Sequence, residues 1–422
     1  MALGNLLKKL KIKKETYDNY AVSLDIGTEF VKAVIFAVED GKAVVKGYGM
    51  YRQRLSDMSG GVVTDIHGVI KNCEKALEIA AKQATILPYQ CIIGIAGELV
   101  KGTTTMIRYT RSNAKESITL AELKNIIGHV QKKAFERARK TLAWETGHRE
   151  IDVRLVNAAI VDVKIDGYKV TNPLGFQGKE VEVGIFNAFA PIVHLGALQT
   201  VAEELDLDLL SIAAEPYAVA RAVSEEESVE FSAIFIDIGG GTSDVAVVRA
   251  GGIEGTKMFA LGGRAFTKRI ASRLNIPFSK AEELKLNYSA GNLPEAKAKK
   301  VKEALATDVA VWLEGIQLTL EDFTNIDLLP SRILLCGGGT ALPEIVEALK
   351  TAEWSKNLPF ARRPTVSFLE PKDVARVYDE TGQLKEPRDV TPLALANVAI
   401  DLVGKEGMMD SVTSKILDSL RS

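Results

Sequence analysis

The chain has 422 residues, with 53 Lys and Arg against 55 Asp and Glu, a net charge of −2. Hydrophobic residues make up 46% and charged residues 26%, the balance of a soluble globular protein long enough for several units of ordinary size. Aromatics at 6% and a near-neutral charge argue against a base-stacking nucleic-acid platform, so no nucleic-acid partner is expected.

Residues 1–14 form a separate pattern: Leu3, Leu6, Leu7 and Leu10 fall on one helical face, with Lys8, Lys9, Lys11, Lys13 and Lys14 around them. Such a basic amphipathic helix lies on an anionic membrane surface, docks on the protein's own core, or is simply a frayed terminal tail. From Tyr20 the chain reads as strands: AVSLDIG, FVKAVIFAV, a turn at Glu39–Lys42, then AVVKGYGMYRQ. A helix is predicted over 65–86 and a buried strand over 91–97. Residues 98–187 read as an inserted α+β unit, with a capping box at Thr119 and Glu122 opening a long helix toward Thr141, and strands over 153–170 and 181–189. A helix follows at 190–206. Residues 231–263 then repeat the first arrangement: apolar strand, Asp-x-Gly turn, second strand, Gly turn, third strand. Leu24-Asp25-Ile26-Gly27-Thr28 is echoed by Ile236-Asp237-Ile238-Gly239-Gly240, which predicts two related halves. Helices fill 264–325, a third strand enters a Gly-rich turn at 332–345, and helical patterns recur near 391–403 and, weakly, over 407–421.

The three cysteines, Cys73, Cys91 and Cys336, form no CxxC pair, and His67, His129, His148 and His194 have no metal-ligand spacing. No apolar run approaches the ~20 residues that span a bilayer, and the N-terminus lacks a secretory apolar core. A cytoplasmic, reducing compartment is expected.

The chemistry sits in the glycine turns. In Asp-x-Gly-Thr at a strand end, the carboxylate holds a hydrated magnesium ion, the glycine lets backbone N–H groups approach phosphate, and the Thr hydroxyl adds a donor. One such turn needs no ligand to explain it. Two, at Asp25 and Asp237, clamp a polyphosphate if the halves face each other. Three adjacent glycines, Gly239-Gly240-Gly241, are hard to explain as core packing. The turn Gly337-Gly338-Gly339-Thr340 offers bare backbone to a flat base, or is simply a tight strand-to-helix connection. There is no GxxxxGK[ST], and the segment after Gly239 continues as a strand, which excludes a dinucleotide fingerprint. Glu215, before Pro216, orients a water for attack on a terminal phosphate, or is an ordinary acidic residue in a helix's first turn.

With these turns in this order, the chain resembles the actin-like ATPase superfamily, and within it FtsA, the bacterial division family that tethers FtsZ filaments to membrane. The likeness is carried by Val170-Thr171-Asn172-Pro173-Leu174-Gly175, by Glu215-Pro216, by Leu261-Gly262-Gly263 and by Ala281-Glu282-Glu283-Leu284-Lys285, across roughly 20–405. The resemblance implies an α/β actin-like fold: two RNase H-like halves around a nucleotide cleft, with an inserted α+β subdomain, 1C. It implies the division 1–16 basic segment, 17–97 and 188–228 subdomain 1A, 98–187 subdomain 1C, 229–262 and 329–365 subdomain 2A, 263–328 subdomain 2B, 366–405 a return to 1A, and 406–422 a tail. It further implies slow ATP turnover, with ATP and Mg²⁺ as cofactors. Asp25, Gly27, Thr28, Lys32, Asp237, Gly239, Gly240, Gly241 and Thr242 would lie at the phosphates, and Gly263, Glu282, Lys285, Gly337, Gly338 and Gly339 around the nucleoside. Asp25 and Asp237 would face Mg²⁺ through water, and Glu215 would be the catalytic residue. The partners implied are the FtsZ C-terminal peptide, further copies of the chain in a filament, and an anionic membrane on its inner face.

One departure stands out. The family usually ends in a basic membrane helix, whereas here Asp410 and Asp418 offset Lys415 and Arg421, and the basic helix is at the opposite end. A PilM-like platform of type IV pilus assembly is the alternative scaffold. A sugar kinase would need a base in the cleft, and the sequence offers no compelling candidate.

Overall fold

The computed structural model describes residues 18–97, 99–147, 151–224, 231–351 and 353–404. The expected basic helix at 1–14 and the tail after 405 lie outside the described residues.

The first half opens with strands β1 (Tyr20–Ile26), β2 (Phe30–Glu39) and β3 (Lys42–Arg52). The β2–β3 connection has positive φ at both Asp40 and Gly41, the two-residue hairpin whose twist suits antiparallel strands. A two-stranded hairpin, β4 (Met58–Ser59) and β5 (Val62–Val63), precedes helix α1 (Ile66–Ala84). Asp65 caps α1 by accepting from the Gly68 amide at 3.1 Å. This helix lies flush on β3: a Cβ on Gly47 would sit 2.3 Å from the Ala80 carbonyl, and one on Gly49 2.0 Å from that of Ala76. Strand β6 (Gln90–Ile95) follows.

The inserted unit comprises β7 (Lys101–Thr110), α2 (Leu120–Thr146), β8 (Val153–Ile165), β9 (Tyr168–Lys169) and β10 (Glu180–Pro191). The Thr119 hydroxyl caps α2 as predicted, accepting from the Glu122 amide at 3.2 Å. The Glu122 carboxylate, however, turns to Arg111, which donates from Nε at 2.8 Å and Nη2 at 3.0 Å. Strand β10 runs to Pro191 rather than to the expected 189, so the next helix, α3 (Ile192–Glu204), starts slightly later than the expected 190. Strand β11 (Asp208–Ala214) and helix α4 (Glu215–Ser224) complete this segment.

The second half repeats the first with β12 (Ala233–Ile238), β13 (Ser243–Arg249) and β14 (Gly252–Phe259). Helices α5 (Gly263–Leu274), α6 (Phe278–Ser289) and α7 (Glu295–Glu321) lead to β15 (Arg332–Cys336), α8 (Pro343–Lys350) and β16 (Thr365–Phe368). The chain then returns to the first half through β17 (Val377–Asp379) and α9 (Val390–Ala399).

The duplication is visible in the pairing. One sheet has the order β11-β6-β1-β2-β3-β17; the other begins β16-β15-β12-β13-β14. In each, the opening strand pairs antiparallel with its hairpin partner and parallel with the later strand on its other side. The second sheet continues through β7, β10, β8 and β9 of the inserted unit. Side chains of β12 alternate between two cores: Ala233 and Phe235 join the first half's core, and Ile234, Ile236 and Ile238 pack with α5 and α7. Strands buried on both faces read as continuous apolar runs, as these do.

Candidate functional site

The ends of β1 and β12 converge. Gly27 and Gly239 shape their turns alike: the Gly27 amide donates to the Phe30 carbonyl at 3.1 Å, and the Gly239 amide to that of Thr242 at 2.9 Å. Those two amides are thereby occupied. The turns touch each other: a Cβ on Gly241 would lie 2.6 Å from Thr28 Oγ1, and one on Gly240 2.7 Å from Glu29 Cβ. Any larger residue at either position would force the halves apart.

Cross-strand register places charge behind each turn. Asp25 is opposite Lys32, and Lys32 Nζ donates to Asp25 Oδ2 at 2.8 Å. Burial works against the Lys32 ammonium, but the charge and hydrogen bond of Asp25 outweigh it and raise its pKa. In the second half the corresponding pair is Asp237 opposite Asp244. Like charges placed so are unfavourable. Burial, followed by the Asp237 charge, pushes Asp244 well above the usual carboxylate range. Burial also raises Asp237, although a 2.6 Å hydrogen bond from the Thr391 hydroxyl works the other way.

Glu215, the first residue of α4, is buried beside them. Burial, then the charges of Asp25, Asp244 and Asp237, lift its pKa far above normal. Gly94 on β6 makes room for it, since a Cβ there would lie 2.6 Å from Glu215 Oε1. Sequence reasoning missed Gly94 and Asp244. Asp244 does carry a signal, because Asp237 and Asp244 have the same seven-residue spacing as Asp25 and Lys32.

The third turn joins this group. Gly337 has φ +86°, and a Cβ on it would strike Asp237 Oδ1 at 2.1 Å. A Cβ on Gly339 would meet Ile238 Cγ2 at 2.3 Å. By contrast, the nearest atom to a Cβ on Gly338 is Arg388 Cβ at 3.9 Å, and around Gly239 nothing comes within 3.5 Å. Packing within the chain accounts for Gly337 and Gly339 but leaves the bare backbone of Gly239 and Gly338 unexplained.

On the next wall, Lys285 Nζ donates to the Gly263 carbonyl at 3.0 Å and to Thr267 Oγ1 at 2.8 Å, and pairs with Glu282 at 2.9 Å. The amides of Gly263 and Arg264 donate to the carbonyls of Gly239 and Gly240 at 2.9 and 2.7 Å. Thus every site residue expected from the sequence falls within one connected region at the junction of the halves.

Among the described residues, no group of three or more His, Cys, Asp or Glu side chains is placed to hold a metal alone. The donor set is instead all carboxylate, and Asp244 Oδ1 is buried with no hydrogen-bond partner among the described residues. Those features fit Mg²⁺, which keeps several waters and takes phosphate oxygens beside one or two carboxylates.

A family model described as cell division protein FtsA matches residues 234–393, from β12 into α9. The chain is 26% identical over 413 residues to cell division protein FtsA of Neisseria meningitidis, covering 92% of each. It is 27% identical over 351 residues to that of Streptococcus pneumoniae, covering 78% of this chain and 73% of the relative. Among solved structures, the PilM-PilN type IV pilus biogenesis complex aligns with a TM-score of 0.65 at 17% identity, over 90% of this chain and 98% of that one. The fold is therefore the actin-like ATPase fold, and the resemblance to FtsA extends across most of the sequence.

Proposed function

We propose that the chain is an ATP-binding scaffold of bacterial cell division. In this reading it assembles on the inner face of the cytoplasmic membrane and tethers FtsZ filaments by their C-terminal peptide. The observation that carries the reading is the contact between two Asp-x-Gly turns, one from each half, in a chain that resembles FtsA over 92% of its length.

Bound ATP supplies a phosphoanhydride bond, and Mg²⁺ the positive charge that this carboxylate-rich site lacks. Asp25 and Asp237 would hold the hydrated cation, with Asp244 beside them. Because the amides of Gly27 and Gly239 are occupied, and the Thr242 hydroxyl already donates to Asp244 Oδ2 at 3.2 Å, phosphate binding falls to the N–H groups of Thr28, Gly240, Gly241 and Thr242 and to the Thr28 hydroxyl. Lys32 balances Asp25. Gly263, Glu282, Lys285, Gly337, Gly338 and Gly339 border the nucleoside. Glu215 would orient the attacking water; burial and then the charges of Asp25, Asp244 and Asp237 favour its protonated form, and a bound cation would offset those charges. Asp237→Ala should weaken Mg·ATP binding and assembly together. Assembly that persisted without nucleotide would refute their coupling.

The two ends of the described chain suit one membrane contact. A Cβ on Gly404 would lie 3.2 Å from the Asp18 carbonyl, so the first and last described residues are neighbours. Stable attachment usually takes two signals.

The similarity to the PilM-PilN complex over 98% of that chain favours a second reading, a PilM-like platform. Fluorescence anisotropy separates them, using the FtsZ C-terminal peptide and a pilus-protein N-terminal peptide from the source organism. Binding of the FtsZ peptide alone is expected; binding of the pilus peptide alone would overturn the division reading.

A further inference from the structure

The nine-stranded sheet has a seam. Strands β14 and β7 pair only at Gly255–Thr103 and Thr256–Gly102, whereas β7 pairs with β10 from Lys101 to Thr110. From Thr105 to Thr110 the other edge of β7 has no ladder partner among the described residues. An unpaired edge is a template for an added strand. The seam opens into a groove of about 1450 Å³ walled by α2, β7, β8, β14 and the end of α7. A small-molecule pocket is typically ~300–1,000 Å³, so this one is peptide-sized.

The lining has three further features. Thr105 Oγ1 and Thr256 Oγ1 are buried there without hydrogen-bond partners among the described residues. Apolar side chains are presented to solvent: Met106 is 46% exposed, Leu318 64% and Trp144 84%. The charge is unbalanced. Lys101 pairs with Glu145 at 2.6 Å, Arg249 with Glu254 at 2.9 Å and Lys257 with Asp322 at 3.1 Å. Lys133 and Arg137, one turn apart on α2, have no ion-pair partner among the described residues, and Lys164 and Lys169 share Asp162. The excess is positive.

We propose that this groove binds an extended, apolar, acidic peptide, added as a strand to the open edge of β7 and held at its carboxylates by Lys133 and Arg137. Backbone pairing supplies affinity, and alternate side chains supply selectivity. None of the nucleotide-site residues lines the groove, so the inference stands apart from the function proposed above.

The test uses the full chain and a fluorescein-labelled peptide of about eight residues, an ordinary strand length, alternating valine and glutamate. Its controls are the valine–lysine counterpart and the glutamate peptide N-methylated at alternate amides. Saturable binding of the glutamate peptide alone is expected, with slowed hydrogen exchange over Thr105–Thr110. Lys133→Glu combined with Arg137→Glu, both exposed positions, should weaken binding about tenfold or more at unchanged melting temperature. Leu318→Ser should also weaken it. Absence of saturable binding, equal binding of the lysine peptide, or indifference to N-methylation would overturn the proposal. So would a dimer in sedimentation that the double charge reversal dissolves, which would assign the groove to a second copy of the chain.

Discussion

At the scale of single residues, neighbouring glycines answer to different demands, and substitution separates them. Gly337→Ala would place a methyl group 2.1 Å from Asp237 Oδ1 at φ +86°. The backbone strain alone costs about 1–3 kcal/mol, so the denaturation midpoint should fall clearly. Gly338→Ala meets nothing closer than 3.9 Å. Stability should stay within about 0.5 kcal/mol, while ATP affinity, measured by calorimetry, should drop if this backbone borders the nucleotide. His194 on α3 makes a different point. Both ring nitrogens are buried without partners among the described residues, and a Cβ on Gly97 would lie 3.2 Å from Cε1, leaving little room. Burial lowers its pKa from 6.5, so the unfolded chain takes up the proton first as pH falls. Stability from this residue is full above about pH 6.5 and is lost below it, by at most about 1.4 kcal/mol per pH unit. Urea denaturation of His194→Leu should show a shallower acid slope than the parent; an identical slope would refute the assignment.

At the scale of elements, Trp312 on α7 is the fully buried anchor of the second half. Its Nε1 donates to Ser243 Oγ at 2.9 Å, and Ser243 Oγ donates to the Leu261 carbonyl at 2.7 Å. The helix thus holds both the start of β13 and the turn before α5. Trp312→Ala should cost about 3–5 kcal/mol in denaturant titrations, and Trp312→Phe distinctly less, because it keeps most of the volume and Ser243 keeps Leu261. What sequence could tell about such elements depended on local pattern. The hairpin at Asp40–Gly41, the Thr119 cap and the turns after Asp25 and Asp237 are written in adjacent residues. Strands β16 and β17 are short, and β16 is largely exposed, so neither has the apolar run that marked its neighbours. The join of β14 to β7 rests on two residue pairs and left no periodicity to read. The pattern cast Glu122 as the second half of a capping box, but its carboxylate pairs with Arg111, a partner set by a chain reversal that spacing does not encode.

At the scale of the whole molecule, the question is what keeps the two halves in contact. Local sequence was silent here, because the decisive partners, Arg264 and Glu29, are 235 positions apart. Arg264 in α5 reaches across the junction. Its Nε donates to Glu29 Oε2 at 2.7 Å, its Nη1 to the Met58 carbonyl at 3.0 Å, and its Nη2 to the Arg54 carbonyl at 3.3 Å. Its own amide donates to the Gly240 carbonyl, so one residue grips both turns. Thr391 adds a second tie, from α9 to Asp237. In Arg264→Ala, Glu29 would still keep Arg52, 2.6 Å away, so no bare buried charge remains. The loss should be that of hydrogen bonds to a charged group, roughly 1.5–3 kcal/mol, and it should fall on the junction rather than on either core. Hydrogen exchange should therefore quicken over residues 54–58 while β12 and β13 stay protected, and small-angle scattering should report a larger radius. Arg264→Lys keeps the charge but not the planar fork that reaches several carbonyls at once, so it should restore little. Uniform loss of protection through both cores, or full rescue by lysine, would show that the residue serves general stability or charge and does not clasp the halves.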